Sequence, residues 1–309
     1  MRKLVVGLGE VLWDVLPAGK HLGGAPANFA YITALMGDDG VVASCVGHDE
    51  LGGEALAQLK KLGLSTKSVQ RDESHATGVV KVEVDENGCA RFEIEQPSAW
   101  DYLQWTAEWE ALARAADAVC FGSLAQRSEQ SRATIRHFLE ATRKDAIRIF
   151  DVNLRAPFYS ADVVRESMKL ADIVKLNDEE VPKVMELLGL PHADEQSSAE
   201  QIISRFELKL VCVTRGARGS LLVTGADFHE QPAIAVKVVD TVGAGDAFTA
   251  ALVHEYLRGA GLATMNRTAN QIGSWVASQA GPTPRPRPGE LAKLLAREGS
   301  PIIESRLAE

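Results

Sequence analysis

From residue 118 onward, short apolar runs alternate with longer segments of helical character. A strand followed by a helix, repeated along the chain, predicts a mostly parallel sheet with helices on both faces. Ligands of such sheets bind beyond the carboxyl ends of the strands. Polar residues lie at or just after several of these predicted ends: Asp151, Asn153, Arg155, Asn177, Thr214 and Asp246. We therefore expect a single site along this edge of the sheet.

Residues 240–248 form a glycine turn, Asp-Thr-Val-Gly-Ala-Gly-Asp-Ala-Phe. The β-branched residues before it, 234–239, predict a strand, and the Ala-rich residues 247–257 predict a helix. A glycine turn that opens a helix presents unpaired backbone N–H groups, which favour an anion. Asp246 could there accept a proton from a hydroxyl beside a bound phosphate. The alternative is that Asp240 or Asp246 only caps the helix.

A second polar cluster lies near the N-terminus. Asp14 stands among apolar residues, and Leu-Gly-Gly-Ala-Pro-Ala-Asn-Phe-Ala follows at residues 22–30. The paired glycines Gly23 and Gly24 permit a ligand to approach the backbone, and Asn28 lies one turn into a predicted helix. Carboxylate and amide groups suit a polyol, because each can hold neighbouring hydroxyls.

Between residues 76 and 94 the pattern changes to strict alternation, with Asn87-Gly88 between two runs. This arrangement predicts a β-hairpin with one buried face. The other face would be exposed to solvent or covered by a partner.

The glycine turn resembles the C-terminal signature of the ribokinase-like (PfkB) sugar kinases, and residues 22–30 resemble their N-terminal sugar-binding signature. Within the second motif, the sequence Gly-Gly-Ala-Pro-Ala-Asn is most similar to that of fructokinases. The resemblance extends from Gly7 to about Gly281, with the motifs in family order. It implies one kinase domain over residues 1–309, built as a three-layer α/β/α sandwich with a mostly parallel central sheet. A small β-sheet lid would be formed from about residues 12–22 and 76–100.

The resemblance also implies an activity, transfer of the ATP γ-phosphoryl group to a sugar hydroxyl. Asp246 would take the hydroxyl proton, and the backbone at Gly243, Ala244 and Gly245 would stabilise charge on the transferred group. The implied sugar-binding residues are Asp14, Gly23, Gly24, Asn28 and Arg155. Fructose is the first choice of substrate. The alternatives are ribose or 2-keto-3-deoxygluconate and, in another class, a non-catalytic sugar-binding regulator, which would be expected to lose the base.

The cofactors implied by the resemblance are ATP and Mg²⁺, with K⁺ as a further candidate. The implied ATP-binding residues are Asn177, Thr214, Gly216 and Gly219. Glu180 would position Mg²⁺ through water, although Asn-x-x-Glu is also a common helix-capping pattern. Asp240 and the Val242 carbonyl would supply a K⁺ site. No Walker-type glycine loop occurs in the sequence, so a P-loop nucleotide site is not predicted.

Composition and sequence patterns disfavour several other classes of protein and partner. The net charge of −9 disfavours nucleic acid and anionic membranes as partners. No run approaches the roughly 20 apolar residues that span a bilayer, and the N-terminus predicts a first strand rather than a signal peptide. We therefore expect a cytoplasmic protein, with a homodimer formed through the lid as a further expectation. A dinucleotide oxidoreductase is disfavoured, because Gly7-x-Gly9 lacks the third glycine of that fingerprint.

Overall fold

The computed structural model describes residues 2–16, 19–84 and 90–295. Its strands are β1 (Leu4–Leu8), β2 (Leu12–Leu16), β3 (Gly19–Gly23), β4 (Asp39–Gly47), β5 (Val69–Asp72), β6 (Gly78–Val84), β7 (Ala90–Ile94), β8 (Ala118–Phe121), β9 (Ile147–Asp151), β10 (Ile173–Asn177), β11 (Leu210–Thr214), β12 (Ser220–Val223) and β13 (Phe228–Gln231).

Its α-helices are α1 (Ala25–Leu35), α2 (Glu50–Lys61), α3 (Ala107–Ala115), α4 (Glu129–Ala141), α5 (Ala161–Leu170), α6 (Glu180–Leu188), α7 (Glu195–Phe206), α8 (Ala244–Tyr256), α9 (Leu262–Ala277) and α10 (Glu290–Leu295). Within the described ranges, none of these helices combines the length and the apolar character needed to cross a membrane.

The larger sheet has nine strands in the order β13-β12-β11-β10-β9-β8-β1-β4-β5. The neighbours from β11 to β5 run parallel, and β12 and β13 add an antiparallel edge. The predicted mostly parallel sheet is thus confirmed. Its carboxyl edge carries Asp151, Asn177 and Thr214, each the last residue of its strand.

Apolar side chains cover both faces of this sheet. One cluster contains Trp109 of α3 and Phe138 of α4, and the other contains Phe29 of α1 and Phe248 of α8. Alternation along each strand divides its side chains between the two clusters: in β10, Val174 belongs to the first and Ile173 to the second. The three-layer arrangement is therefore confirmed, and α1 and α8 lie on the same face.

A second, four-stranded sheet has the order β3-β2-β6-β7. β6 and β7 form the predicted hairpin, with Val84 opposite Ala90, while the Asn87-Gly88 turn lies outside the described residues. The first predicted lid segment contains two antiparallel strands, β2 and β3, which place Asp14 opposite His21. The boundaries of the single domain and of its lid stay predictions.

The strand predicted over residues 234–239 is wrong. This segment is irregular, and Val238 and Val239 are 59% and 58% exposed. The backbone N–H groups of Val239 and Asp240 both donate to the Ala277 carbonyl at the end of α9. β-branched residues favour extended backbone in general, so their presence does not require a neighbouring strand. α9 anchors this segment instead.

Candidate active site

The glycine turn forms the N-terminus of α8. Gly243 is the N-cap residue of the helix, and its φ of 77° lies in the left-handed region. As a glycine, it provides no side chain to cap the first turn. The Ala244 N–H donates to the Thr241 carbonyl at 3.2 Å. The N–H groups of Gly245 and Asp246, in the first turn, have no acceptor within the helix. The turn therefore offers backbone donors and a positive helix dipole to an anion.

One hydrogen bond joins residues 22–30, which resemble the sugar-binding signature, to the glycine turn. The Asn28 Nδ2 of α1 donates to the Asp246 Oδ2 of α8 at 2.9 Å, across 218 residues of sequence. Asn28 is buried, and its Oδ1 has no hydrogen-bond partner among the described residues. A buried amide oxygen without a partner is costly, so it is an available acceptor for a ligand hydroxyl.

The pKa of Asp246 is raised to about 6, chiefly by burial and then by the nearby Asp151 charge. The hydrogen bond from Asn28 and the positive charges of Lys175 and Arg155 act in the opposite direction. A carboxyl group with this pKa is mostly ionised at neutral pH and is a stronger base than an ordinary aspartate. This balance suits general base catalysis.

Asp14 of β2 and the paired glycines lie together at one end of the second sheet. A Cβ on Gly23 would lie 2.2 Å from Asp14 Oδ2, and one on Gly24 would lie 2.4 Å from the Glu10 carbonyl oxygen. The pKa of Asp14 is raised to about 6, because burial outweighs the lowering by the charges of His21 and Arg155. Gly23 thus keeps free the space beside the Asp14 carboxyl group, which could hold hydroxyls, and Gly24 lets its backbone pack closely against that of Glu10.

Arg155 completes this group through charge rather than through a side-chain bond. Its side chain is exposed, and its Nη1 donates to the Leu154 carbonyl at 3.1 Å. Its positive charge lowers the pKa of Asp14, Glu10 and Asp246. The structure therefore brings the predicted sugar-binding residues and the predicted base into one electrostatic neighbourhood.

Glu10 was missed in the sequence analysis. Its side chain is 4% exposed, and its Oε2 has no partner within the described ranges. Burial raises its pKa to about 7, and the charge of Asp246 contributes to the rise. The available signal in the sequence was an acidic residue shortly after the buried strand β1.

A buried network below α8 was also missed. Lys175 of β10 donates to Asp151 Oδ1 at 3.0 Å, and Thr249 of α8 donates to Asp151 Oδ2 at 3.0 Å. The same hydroxyl proton is shared with the Gly245 carbonyl oxygen, which lies 2.9 Å from Thr249 Oγ1. The network therefore connects two neighbouring strand ends to the first turns of α8. A lysine within the otherwise apolar run Ile-Val-Lys-Leu was the available sequence signal.

The predicted ATP-binding residues adjoin this network along the carboxyl edge. Asn177 and Thr214 are paired in the register of β10 and β11. Gly216 and Gly219 follow in a short turn and have φ of 53° and 91°. A Cβ on Gly219 would lie 1.9 Å from the Gln231 carbonyl oxygen, so packing against β13 by itself requires glycine there. These four residues lie together, and their contact with ATP stays a prediction.

Two predicted metal residues already have hydrogen bonds within the protein. Glu180 accepts from the Leu154 N–H at 2.7 Å and the Asn177 N–H at 2.9 Å, while Asn177 Oδ1 accepts from the Glu180 N–H. This is a capping arrangement. Asp240 similarly accepts from the Val242 and Gly281 N–H groups. In the described part of the chain, no cluster of three or more acidic, His or Cys residues could hold a metal.

The model of the pfkB family carbohydrate kinases matches residues 9–288 of this chain. A fructokinase from Escherichia coli is 30% identical over 284 residues, which are 86% of this chain and 88% of that protein. The residues matched by the family model include the second sheet, the carboxyl edge of the large sheet and the glycine turn.

Solved structures agree with the family model. The uncharacterized sugar kinase PH1459 from Pyrococcus horikoshii, in complex with ATP, is 29% identical, with a TM-score of 0.80 over 94% of this chain and 97% of that one. A fructokinase from Vibrio cholerae with fructose, ADP and calcium ion is 26% identical, with a TM-score of 0.78 over 96% and 98%. A double mutant of that fructokinase was solved with fructose, ADP and potassium ion. This chain therefore belongs to the pfkB family of carbohydrate kinases, phosphotransferases that act on a sugar hydroxyl.

Proposed function

We propose that this sugar kinase is a fructokinase that transfers the γ-phosphoryl group of ATP to a hydroxyl of fructose. The observation that carries the proposal is the 2.9 Å hydrogen bond between Asn28 and Asp246. This bond joins residues 22–30, which resemble the sugar-binding signature, to the N-terminus of α8, which would hold the transferred phosphoryl group. Fructose as the substrate is supported by the fructokinase-like wording of residues 22–30 and by the Escherichia coli relative.

In the proposed mechanism, the sugar lies between β2, the first turn of α1 and the first turn of α8. Asp14, the backbone of Gly23 and Gly24, Asn28 and Arg155 would bind its hydroxyls. Asp246 would accept the proton of the attacking hydroxyl as the new O–P bond forms and the bond from phosphorus to the bridging oxygen of ADP breaks. Backbone N–H groups from Gly243 to Asp246 would stabilise charge on the transferred group.

The nucleotide would lie along the carboxyl edge next to Asn177, Thr214, Gly216 and Gly219. Mg²⁺ keeps several waters and binds substrate phosphates, so it needs few protein ligands. The ion would enter with ATP, with Glu180 acting through water. Bound Mg²⁺ would neutralise charge on the phosphates. For K⁺, we propose the Val242 carbonyl and Asp240 as the residues that would hold the ion. The presence of potassium ion in the Vibrio cholerae double mutant supports only the choice of ion.

The second sheet is proposed as a lid that closes over the sugar and excludes water, which would otherwise compete as acceptor. A homodimer formed through this sheet and a cytoplasmic location stay predictions, as does the lack of a nucleic-acid or membrane partner. The four strands of the sheet come from residues 12–23 and 78–94, close to the predicted lid segments.

The test is ADP release with ATP and Mg²⁺ across a panel containing fructose, ribose, 2-keto-3-deoxygluconate and glucose. We expect the highest kcat/KM for fructose, with one phosphorylated product by NMR. A higher value for another sugar would refute fructose and retain the kinase mechanism. Absence of turnover together with sugar binding by calorimetry would favour the regulatory alternative.

A further inference from the structure

Lys175 is a charged residue inside an apolar strand. Its side chain is 8% exposed. Alternation along β10 places it on the face of Ile173, whose cluster includes Phe248 of α8. The ammonium group therefore lies between the large sheet and α8, below the glycine turn.

The hydrogen bonds of Lys175 leave part of its donor capacity unused. Within the described ranges, its Nζ has Asp151 Oδ1 as its hydrogen-bond acceptor, at 3.0 Å. An ammonium group carries three donors, so the structure leaves donors available to a ligand. Asp151 is itself fixed by Thr249, which holds the ammonium in a defined position.

Gly245 leaves the ammonium facing the helix N-terminus. A Cβ on this residue would lie 3.1 Å from Lys175 Nζ, and no such atom is present. Gly245 is a first-turn residue of α8, where backbone N–H groups have no acceptor within the helix. The positive charge is therefore adjacent to the backbone donors rather than separated from them by a side chain.

Lys175 keeps its proton despite its burial. Burial lowers its pKa, but the charges of Asp151, Glu180 and Asp246 raise it above the usual value for lysine. Burying an ion pair is a weak means of stabilising a fold, because apolar residues of similar volume often do as well or better. A permanent cation at this place therefore calls for a functional explanation.

We propose that Lys175 is a catalytic residue whose ammonium contacts the transferred phosphoryl group across the open side of Gly245. It donates to a non-bridging oxygen while the bond to ADP breaks and the bond to the sugar oxygen forms. Lys175 keeps its proton throughout, and the hydroxyl proton goes to Asp246. The inference rests on the proposed binding of this phosphoryl group at the N-terminus of α8.

The direct test compares the binding of ADP and of AMP-PNP, which carries the third phosphoryl group, by calorimetry with Mg²⁺. In Lys175→Met we expect the Kd of AMP-PNP to rise about tenfold or more, the value of a charge-assisted hydrogen bond. The Kd of ADP should stay within about twofold, because ADP lacks the contacted group. The kcat should fall about 100-fold or more, as when an oxyanion donor is removed.

The double variant Lys175→Met/Asp151→Asn distinguishes loss of the phosphoryl contact from misfolding caused by an unpaired buried charge. Lys175→Met alone leaves Asp151 buried without its partner, which could prevent folding. The double variant removes both charges, and the selective loss of AMP-PNP affinity should persist in it. Lys209→Met is the matched control, since Lys209 pairs with Asp172 at 3.0 Å at the opposite edge of the sheet. It should change neither affinity.

Equal changes in the Kd of ADP and AMP-PNP, or a return of wild-type kcat and AMP-PNP affinity in the double variant, would overturn the inference. Failure of the proposed function itself would be recognised separately. In that case the wild-type enzyme would phosphorylate no sugar, or Asp246→Asn would retain full activity, whatever Lys175→Met does.

Discussion

At the scale of single residues, the site depends on how its surroundings adjust one carboxyl group. Burial and Asp151 raise the pKa of Asp246, while the Asn28 hydrogen bond lowers it, because that bond stabilises the ionised form. The resulting pKa of about 6 keeps the group basic and still ionised at neutral pH. Asn28 therefore has two proposed roles, one toward the sugar and one toward the base.

Replacing Asn28 should change the pH dependence as well as the rate. Asn28→Leu removes the donor, so the pKa of Asp246 should rise above about 6 and less of the base should be ionised at a given pH. The acidic limb of kcat/KM should move to higher pH, and activity should fall more at pH 6 than at pH 8. Gln130→Leu, at an exposed amide on α4, is the control. An unshifted limb would contradict this role of Asn28.

Residue identity was the most predictable part of the site and residue environment the least. Asp14, Asn28 and Asp246 belong to recognisable motifs, and the structure brings them together. Lys175 and Glu10 belong to strand patterns, where a single charged residue is easily treated as an exception. Their importance comes from neighbours distant in sequence, such as Asp246 beside Glu10, and a linear pattern does not contain those distances.

At the scale of elements, α8 is positioned by its packing and by its first residue. It packs against α1 and α9 through Ala247, Phe248 and Ala251. Gly243 begins it in the left-handed region, with Pro282 directly behind. The sequence predicted this helix and its turn well, because glycine and alanine have strong local preferences. It failed for residues 234–239, where contacts with α9 decide the conformation.

Two glycine substitutions distinguish the effect of backbone strain on stability from the effect of the turn's geometry on activity. Gly243→Ala and Gly259→Ala both place alanine at positive φ, 77° and 72°, and each should lose about 1 kcal/mol or more of unfolding free energy. A Cβ at residue 243 would also lie 2.5 Å from Pro282 Cβ, whereas nothing lies within 4 Å at residue 259. Gly243→Ala should therefore unfold at a lower denaturant concentration than Gly259→Ala, and its kcat should be a small fraction of the wild-type value.

Gly259→Ala serves as the matched control and should keep wild-type kcat. Equal stability losses together with equal activities in the two variants would show that the Pro282 contact and the turn geometry do not matter.

At the scale of the whole molecule, the chain combines a large sheet that holds the site with a small sheet beside it. The large sheet could be predicted because alternating apolar strands and helices have few ways to pack. The strand pairing within the small sheet could not be predicted, because β2 pairs with β6 in parallel across more than 60 residues of sequence. Only the hairpin within it had a local signal.

If the small sheet closes over the sugar, its backbone should become protected when substrate binds. Hydrogen exchange should slow in residues 12–16, 19–23 and 78–84 with fructose and AMP-PNP, because closure reduces local opening. The strands β8 to β11 should change little, since they are already buried. Unchanged exchange in these segments, with the sugar bound, would argue against a moving lid.

The central claim is that Asp246 accepts the proton of the sugar hydroxyl. The most direct measurement is the kcat of Asp246→Asn with the best sugar of the panel, beside calorimetry of sugar and AMP-PNP binding and a thermal melt. The account predicts a kcat at least 10²-fold lower, the usual scale for losing a general base, with both ligands still bound and the fold intact. A kcat equal to that of the wild type would contradict it.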